Sequence, residues 1–429
     1  MIRIERIAVA LGIALVLALP GSAFAQDEPP DNRWTKEATK HLTVADMRQD
    51  PVEKANLYQQ ALDALTPALT EAADNAKVWM LAGQIYIGLD RFEAADSALD
   101  RAEQLFPPYA EGIASMREQA WLRAFNAASE AMDRQALDTA IALIERAEVI
   151  YDQRPEGMLN LGILYSNAGN NEKAVEAFQT AIDRFHGPLL EKLPPEDQER
   201  WQEYEQIARS SMAQAWGNEG ITAFQESDYM KAAAAFARAA EVNPYSRDYI
   251  YNHAQSVFAR VADLERIAEG AKGDALDKVR AELAELYPRM VETAAGALVF
   301  DPYNPDLFIL QARAKRGLSL QAPNEAAKAA LEKEAMEIVE KVTAIPFDVT
   351  DISVNIDNAG VRLTGVFKNR SLKPGDTAKL RFSILAFDGQ IAGSQEVTAT
   401  LAEQEEPVPF EVIIPATGNI AGWKYEPVQ

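Results

Sequence analysis

Apolar and small residues recur at helical spacing in paired blocks along most of the chain. Residues 76–109 show the pattern most completely. Trp79, Ala82, Gly83 and Tyr86 mark one block, and Phe92, Ala95, Leu99 and Ala102 mark the next, with Pro107 closing the unit. A turn at Gly88–Arg91 separates the blocks, so the pattern predicts a helix–turn–helix unit. Gly83 and Ala95 are small enough for the two helices to approach closely, and Pro107 ends the second because it cannot donate to the helical ladder. The same frame returns at 155 with Met158, Leu161, Gly162, Tyr165, Asn171, Ala174, Phe178 and Ala181. It returns again at 213 with Trp216, Gly220, Ala223, Tyr229, Ala232, Phe236, Ala239 and Pro244.

Less regular units fill the intervals. Residues 121–154 fit through Ala128, Leu137, Ala140, Ile144 and Ala147. Residues 42–75 fit in their second helix through Tyr58, Ala61, Leu65 and Ala68, but Pro51 falls inside the first helix of that frame. The unit at 247–304 is stretched by an insertion that reads as a helical extension with a Gly-rich bend. Residues 187–201 read as an inserted loop leading into a long helix. A last pair occupies 305–345, and its second helix departs from the frame and is expected to cap the array. After Ile345-Pro346 the period changes to two. Val361, Leu363, Gly365 and Phe367 alternate with polar residues, as do Leu380, Phe382, Ile384 and Ala386; Phe410, Val412 and Ile414 form a further apolar face. Pro374-Gly375 and Asp388-Gly389 are turn signals, so residues 346–429 are expected to form about six strands of a small antiparallel sandwich.

The frame at 76, 155 and 213 resembles the tetratricopeptide repeat (TPR) family, whose period is 34 residues. The resemblance implies a mainly α protein, a TPR-like α-solenoid over 42–345 followed by the β-sandwich, in which each helix pair buries its apolar faces against its neighbours. It further implies a ligand groove lined by set positions of each first helix. Carried onto this chain, the candidate partner-binding residues are Met80, Gln84 and Ile87; Phe125, Ser129 and Met132; Leu159, Asn160 and Ile163; Gly217, Asn218, Ile221 and Phe224; and Tyr251 with Gln255. Among the groove positions of these helices only Lys77, Glu156 and Asp248 are charged, which suits an apolar helix or extended peptide of a protein partner. The carboxylate-clamping subfamily needs Lys and Asn where this chain has Met80 and Gln84, so that specificity is not expected. In the C-terminal region LTGVFKN and SILAFDGQIAGS, with Gly365, Asn369, Phe387, Asp388 and Gly393, resemble FxLYD-type sandwich domains, accessory modules of exported bacterial proteins.

Composition narrows the chemistry. The chain has 429 residues, 48% of them apolar, no Cys, 3 His and a net charge of -23. Without Cys there are no disulfides, zinc ribbons, iron–sulfur clusters or thiol catalysis. Such an acidic chain is repelled by nucleic-acid phosphates and by anionic membrane surfaces. No Gly-rich phosphate loop, His-Glu-x-x-His, Gly-x-Ser-x-Gly or calcium loop is present, so no catalytic residue, metal or cofactor is expected. Arg3 and Arg6 precede an apolar run over 7–19, followed by Pro20-Gly21 and by Ala23-Phe24-Ala25. This layout predicts a secretory signal peptide over 1–25, cut after Ala25, and a periplasmic or secreted chain with no integral membrane segment in its mature form. Residues 26–41 read as a flexible leader. The expected function is an exported, non-enzymatic scaffold of a bacterial envelope. The alternative is a module that binds envelope glycan or wall polymer through Trp423, Tyr425 and Phe387 of the sandwich.

Overall fold

The computed structural model describes residues 28–357, 360–404, 406–416 and 420–428. The expected signal peptide and its cleavage site lie outside the described residues. The chain divides into two compact units, one holding residues 1–164 and 183–193, the other 165–182 and 194–429.

In the first unit the helices are α1 (Arg33–Asp46), α2 (Pro51–Leu65), the single turn α3 (Ala68–Glu71), α4 (Ala76–Gly88), α5 (Phe92–Leu105), α6 (Ala110–Asp133), α7 (Leu137–Ile150) and α8 (Pro155–Asn167). The leader expected over 26–41 is therefore helical from Arg33 onward. Its start is fixed by a capping box: the Asn32 side chain accepts from the Thr35 amide at 2.9 Å, and Thr35 Oγ1 accepts from the Asn32 amide at 2.9 Å. Thr35, Ala38, Leu42 and Ala45 then form its buried stripe. The first helix pair thus begins earlier than the frame at 42 places it. Pro51 becomes the first residue of α2, where its missing N–H costs nothing, with Asp50 as the N-cap.

Residues 165–182 and 194–345 of the second unit carry most of α9 (Asn171–Phe185), then α10 (Pro195–Gln225), α11 (Tyr229–Val242), α12 (Arg247–Gly270), α13 (Asp274–Leu298), α14 (Pro305–Leu320) and α15 (Glu325–Ala344). The inserted segment after 187 runs directly into α10, whose later half is the first helix of the frame at 213. The stretched unit is a pair of long helices. Val257, Val261 and Leu264 of α12 share one core with Leu283, Leu286 and Met290 of α13, so the extension is buried largely against itself. Helix α15 packs on α14 through half-buried Ala327, Leu331, Ala335, Ile338 and Val342, and none of its residues is fully buried. That is the profile of a terminal, capping helix.

One local device recurs through the repeat frames. Asp90, Gln135, Gly169 and Ser227 hold the same place in the frames beginning at 76, 121, 155 and 213, and all four adopt left-handed backbone, with φ of 55°, 60°, 76° and 63°. In each case the following amide reaches back to a carbonyl five residues earlier at 2.9 Å: Arg91 to Tyr86, Ala136 to Ala131, Asn170 to Tyr165 and Asp228 to Ala223. This closes the first helix with a Schellman-type turn and starts the second. Close packing follows the turn. A Cβ added to Gly220 would lie 2.8 Å from the Phe236 ring, and one added to Gly83 would run into Leu99 at the same frame position.

The strands are β1 (Phe347–Asp357), β2 (Gly360–Asn369), β3 (Thr377–Ala386), β4 (Ile391–Thr400), β5 (Pro407–Ile414) and β6 (Ile420–Pro427). They form two antiparallel three-stranded sheets, ordered β1-β2-β5 and β4-β3-β6. The alternating pattern in β2 turns Val361, Leu363 and Phe367 inward. A row of aromatic contacts joins the sheets, with centroid separations of 4.7 Å for Phe367–Phe410 and 5.3 Å for Phe410–Phe382.

The turn geometry makes opposite predictions for two substitutions. Gly169→Ala places a Cβ in open space but in left-handed backbone, and should cost about 1–2 kcal/mol. Gln135→Gly should stabilise by about 0.5–1 kcal/mol, the strain relieved exceeding the entropy lost. Denaturant midpoints of the two variants against the parent check the signs.

Candidate functional site

The expected groove residues separate by burial once the helices are in place. In the first unit Ile87 and Phe125 belong to a core with Phe92, Leu99, Ile113 and Trp121, and Phe125 stacks on Trp121 at 4.7 Å. Leu159 and Asn160 are also buried. Asn160 donates its side-chain amide to the Glu156 carbonyl at 2.9 Å, so it is committed to its own helix. These four are interior positions, not groove-lining ones, because the side chains of neighbouring helices close over them. Met80, Gln84, Ser129, Met132 and Ile163 are half-buried.

In the second unit Gly217 is also interior: a Cβ there would sit 2.6 Å from the Tyr249 ring of α12, which makes α10 and α12 neighbours. One and two turns further along α10 the surface opens. Ile221 is 47% and Phe224 38% exposed, and Phe224 meets Tyr229 edge-on at 5.3 Å. Asn218, Tyr251 and Gln255 are half-buried, and Gln255 Nε2 donates to Tyr251 Oη at 2.9 Å. Burial pushes the Tyr251 hydroxyl pKa up, so it stays a neutral donor and acceptor. His253, also on α12, lies 3.4 Å from Arg289, and burial followed by that cation pushes its pKa down to about 4. The chemistry on offer is apolar contact at Ile221 and Phe224 of α10 and, on α12, the hydrogen-bonding Tyr251–Gln255 pair.

Two buried polar clusters were not among the expected site residues. In the first unit Glu148 accepts from Trp121 Nε1 at 3.1 Å and from Arg184, while Arg154 donates to Glu118 at 2.8 Å and Glu156 at 3.2 Å. Burial raises the Glu148 carboxyl pKa, opposed by Arg184 and the indole N–H. Each of the pairs Glu118–Arg154 and Glu148–Arg184 is separated by |i−j| = 36, close to one repeat, and complementary charges at that spacing were the readable signal.

The second cluster fastens the sandwich to the repeat helices of the same unit. Asp301 is 2% exposed. Its carboxylate accepts from Arg247 Nη2 at 2.5 Å, from Asn304 Nδ2 at 3.0 Å and from the Tyr425 hydroxyl of β6. The Tyr425 oxygen in turn accepts from the Tyr303 amide at 3.2 Å. Burial first, and then the Asp301 carboxylate, raise the Tyr425 pKa, so the phenol remains protonated. Asn243 Nδ2 donates to the Ala421 carbonyl at 2.7 Å, and Arg247 lies over the Trp423 ring at 5.1 Å. A Cβ on Gly422 would overlap the Tyr245 carbonyl, so only glycine lets β6 approach so closely. Trp423 and Tyr425 are thus buried at 8% and 1% exposure. This overturns the expectation that they present stacking faces to a glycan: their alternation on β6 marks a packed face, and Phe387 is half-buried.

Among the described residues no group of three or more His, Cys, Asp or Glu could hold a metal ion, and no helix is long and apolar enough to cross a membrane. The tetratricopeptide repeat family profile matches residues 54–116 and, in a second version, residues 155–184. No curated protein matches the chain. Among solved structures, MamA is 16% identical with a TM-score of 0.22, over 50% of this chain and 95% of its own. The thermophilic TPR protein TTC0263 of Thermus thermophilus is 17% identical with a TM-score of 0.17, over 52% and 99%. The TPR2AB domain of yeast Sti1, in complex with pHSP90, is 16% identical with a TM-score of 0.19, over 62% and 98%.

The polar cluster yields a graded prediction. Asp301→Ala leaves half-buried Arg247 with only the exposed Asp248 carboxylate, and orphans the Tyr425 and Asn304 donors, so it should cost about 3 kcal/mol. Tyr425→Phe removes two hydrogen bonds, the one donated to Asp301 and the one accepted from the Tyr303 amide, leaves the ion pair, and should cost about 2 kcal/mol. Equilibrium unfolding of the two variants should reproduce that order.

Proposed function

We propose that this chain, which matches the tetratricopeptide repeat profile over residues 54–116 and 155–184 and carries a C-terminal β-sandwich, is an exported, non-enzymatic scaffold holding an apolar helix or extended peptide of a protein partner. TPR proteins are interaction scaffolds in general, and protein binding is the activity this architecture supports. The observation that carries the finer reading is the exposure of Ile221 and Phe224, one turn apart on α10, beside α12 with its neutral Tyr251–Gln255 pair. Two large apolar side chains offered to water at helical spacing suit an apolar stripe on a partner. Export rests on the N-terminal sequence: Arg3 and Arg6, the apolar run and Ala23-Phe24-Ala25. The −23 net charge lies mostly on the helical region and keeps copies apart in solution.

The test is photo-crosslinking in the native envelope. A crosslinker at residue 224 should give a discrete protein adduct that disappears in Ile221→Asp, while the same crosslinker at Lys328 of α15 should not give it. Phe125 is unsuitable for such a test because its burial makes any polar variant a folding variant. Loss of position dependence, with equal adducts from 224 and 328, would contradict the groove. Mass spectrometry of the same purified chain should find Gln26 at its N-terminus; a chain beginning at Met1 would contradict export by cleavage.

A further inference from the structure

A recess whose lining includes none of the groove positions lies between helices of the second unit. Its volume is about 520 Å³, and it is bounded by α9, α10 and α11. Val175, Met212 and Val242 give it an apolar floor, with Met212 itself buried. Exposed Glu176 and Glu241 stand among its lining residues on two different helices. Trp216 and Arg238 also line it, and the guanidinium of Arg238 lies over that indole at 4.6 Å. Arg238 stands three residues before Glu241 on α11, the spacing at which helical charges pair. It forms an ion pair with neither Glu241 nor Glu176; its contact is with Trp216. The two carboxylates form no salt bridge among the described residues.

We propose that this recess receives a basic side chain, arginine or lysine, of a partner polypeptide. An aliphatic stem of three or four methylenes is the part of such a side chain that an apolar floor can cover, while its head stays at the wetter edge. Two carboxylates stand against a single cation of the lining, Arg238, whose guanidinium is held over Trp216, so the recess keeps an excess of negative charge for that head. An aromatic ligand would gain the floor but leave both carboxylates desolvated and unanswered, and an anionic one would meet them directly. At long range the −23 net charge favours approach by basic segments over acidic ones. The site is independent of the α10–α12 groove and does not rest on it.

Calorimetric titration of the full chain at low salt tests the assignment. The probe is a capped alanine peptide carrying two arginines, and the control replaces both with citrulline, which keeps the shape and removes the charge. The arginine peptide should bind saturably, and the citrulline peptide about tenfold more weakly or worse. Glu176→Gln/Glu241→Gln should lose a similar factor, while the charge-neutral Ile221→Ser/Phe224→Ser should bind as the parent does. All four positions are exposed, so none of these changes threatens the fold. Equal affinity for the two peptides, unchanged affinity in the Gln variant, or no saturable heat would each overturn the proposal.

Discussion

Asp301 is a carboxylate taken almost wholly out of water, and the placement of the sandwich follows from what answers it. A buried carboxylate is tolerated only where cations and donors meet it with good geometry. Arg247 comes from the start of α12, Asn304 from the turn before α14, and Tyr425 from β6. Three parts of the chain far apart in sequence must therefore converge on one point. The cluster is not an unmixed gain in stability, since Arg247 Nε is buried without an acceptor among the described residues. Its stronger effect is on geometry: β6 can approach only because Gly422 has no side chain to meet Tyr245. The Tyr303–Phe347 edge contact at 5.2 Å then adds apolar area beside the polar cluster.

That docking decides which surfaces remain for function. It removes Trp423 and Tyr425 from solvent and with them the aromatic face a sugar would need. The apolar pair on α10 and the recess between α9, α10 and α11 are among the features of the second unit that look outward. The two differ in chemistry, one presenting two exposed apolar side chains, the other an apolar floor with two carboxylates and one guanidinium in its lining. A scaffold with such surfaces can read two kinds of feature on a partner.

The repeat architecture was legible because its causes are local. The Gly and Ala positions of each helix pair, and the polar turn between them, recur in the sequence at a fixed interval, and the structure adds left-handed backbone at Asp90, Gln135, Gly169 and Ser227. Only one of these is glycine, which is why the turn position itself carried no sequence mark. The start of α1 was missed because a polar, Pro-rich approach masks the Asn32 cap and the widely spaced stripe of Thr35, Ala38, Leu42 and Ala45. Alternation in β6 identified a strand with Trp423 and Tyr425 on one side, but periodicity cannot say whether that side meets solvent or another part of the chain. The groove suffered the same ambiguity. Position within a repeat placed Ile87, Phe125, Leu159, Asn160 and Gly217 beside the liners, while Tyr249 and other neighbouring side chains decide which of them reach water.

The central claim is that the sandwich and the repeat helices beneath it open as one body, and native-state hydrogen exchange measures this directly. The Tyr425 amide bonds to the Phe300 carbonyl across the junction, whereas the amides of β3 pair only within the sandwich. The account predicts that the slow amides of β3, the Tyr425 amide and those of α12 exchange through one opening of common free energy and common denaturant dependence. Exchange of the β3 amides through a separate, higher-energy opening, with the Tyr425 amide already exchanged at low cost, would show a sandwich that undocks freely and would contradict it.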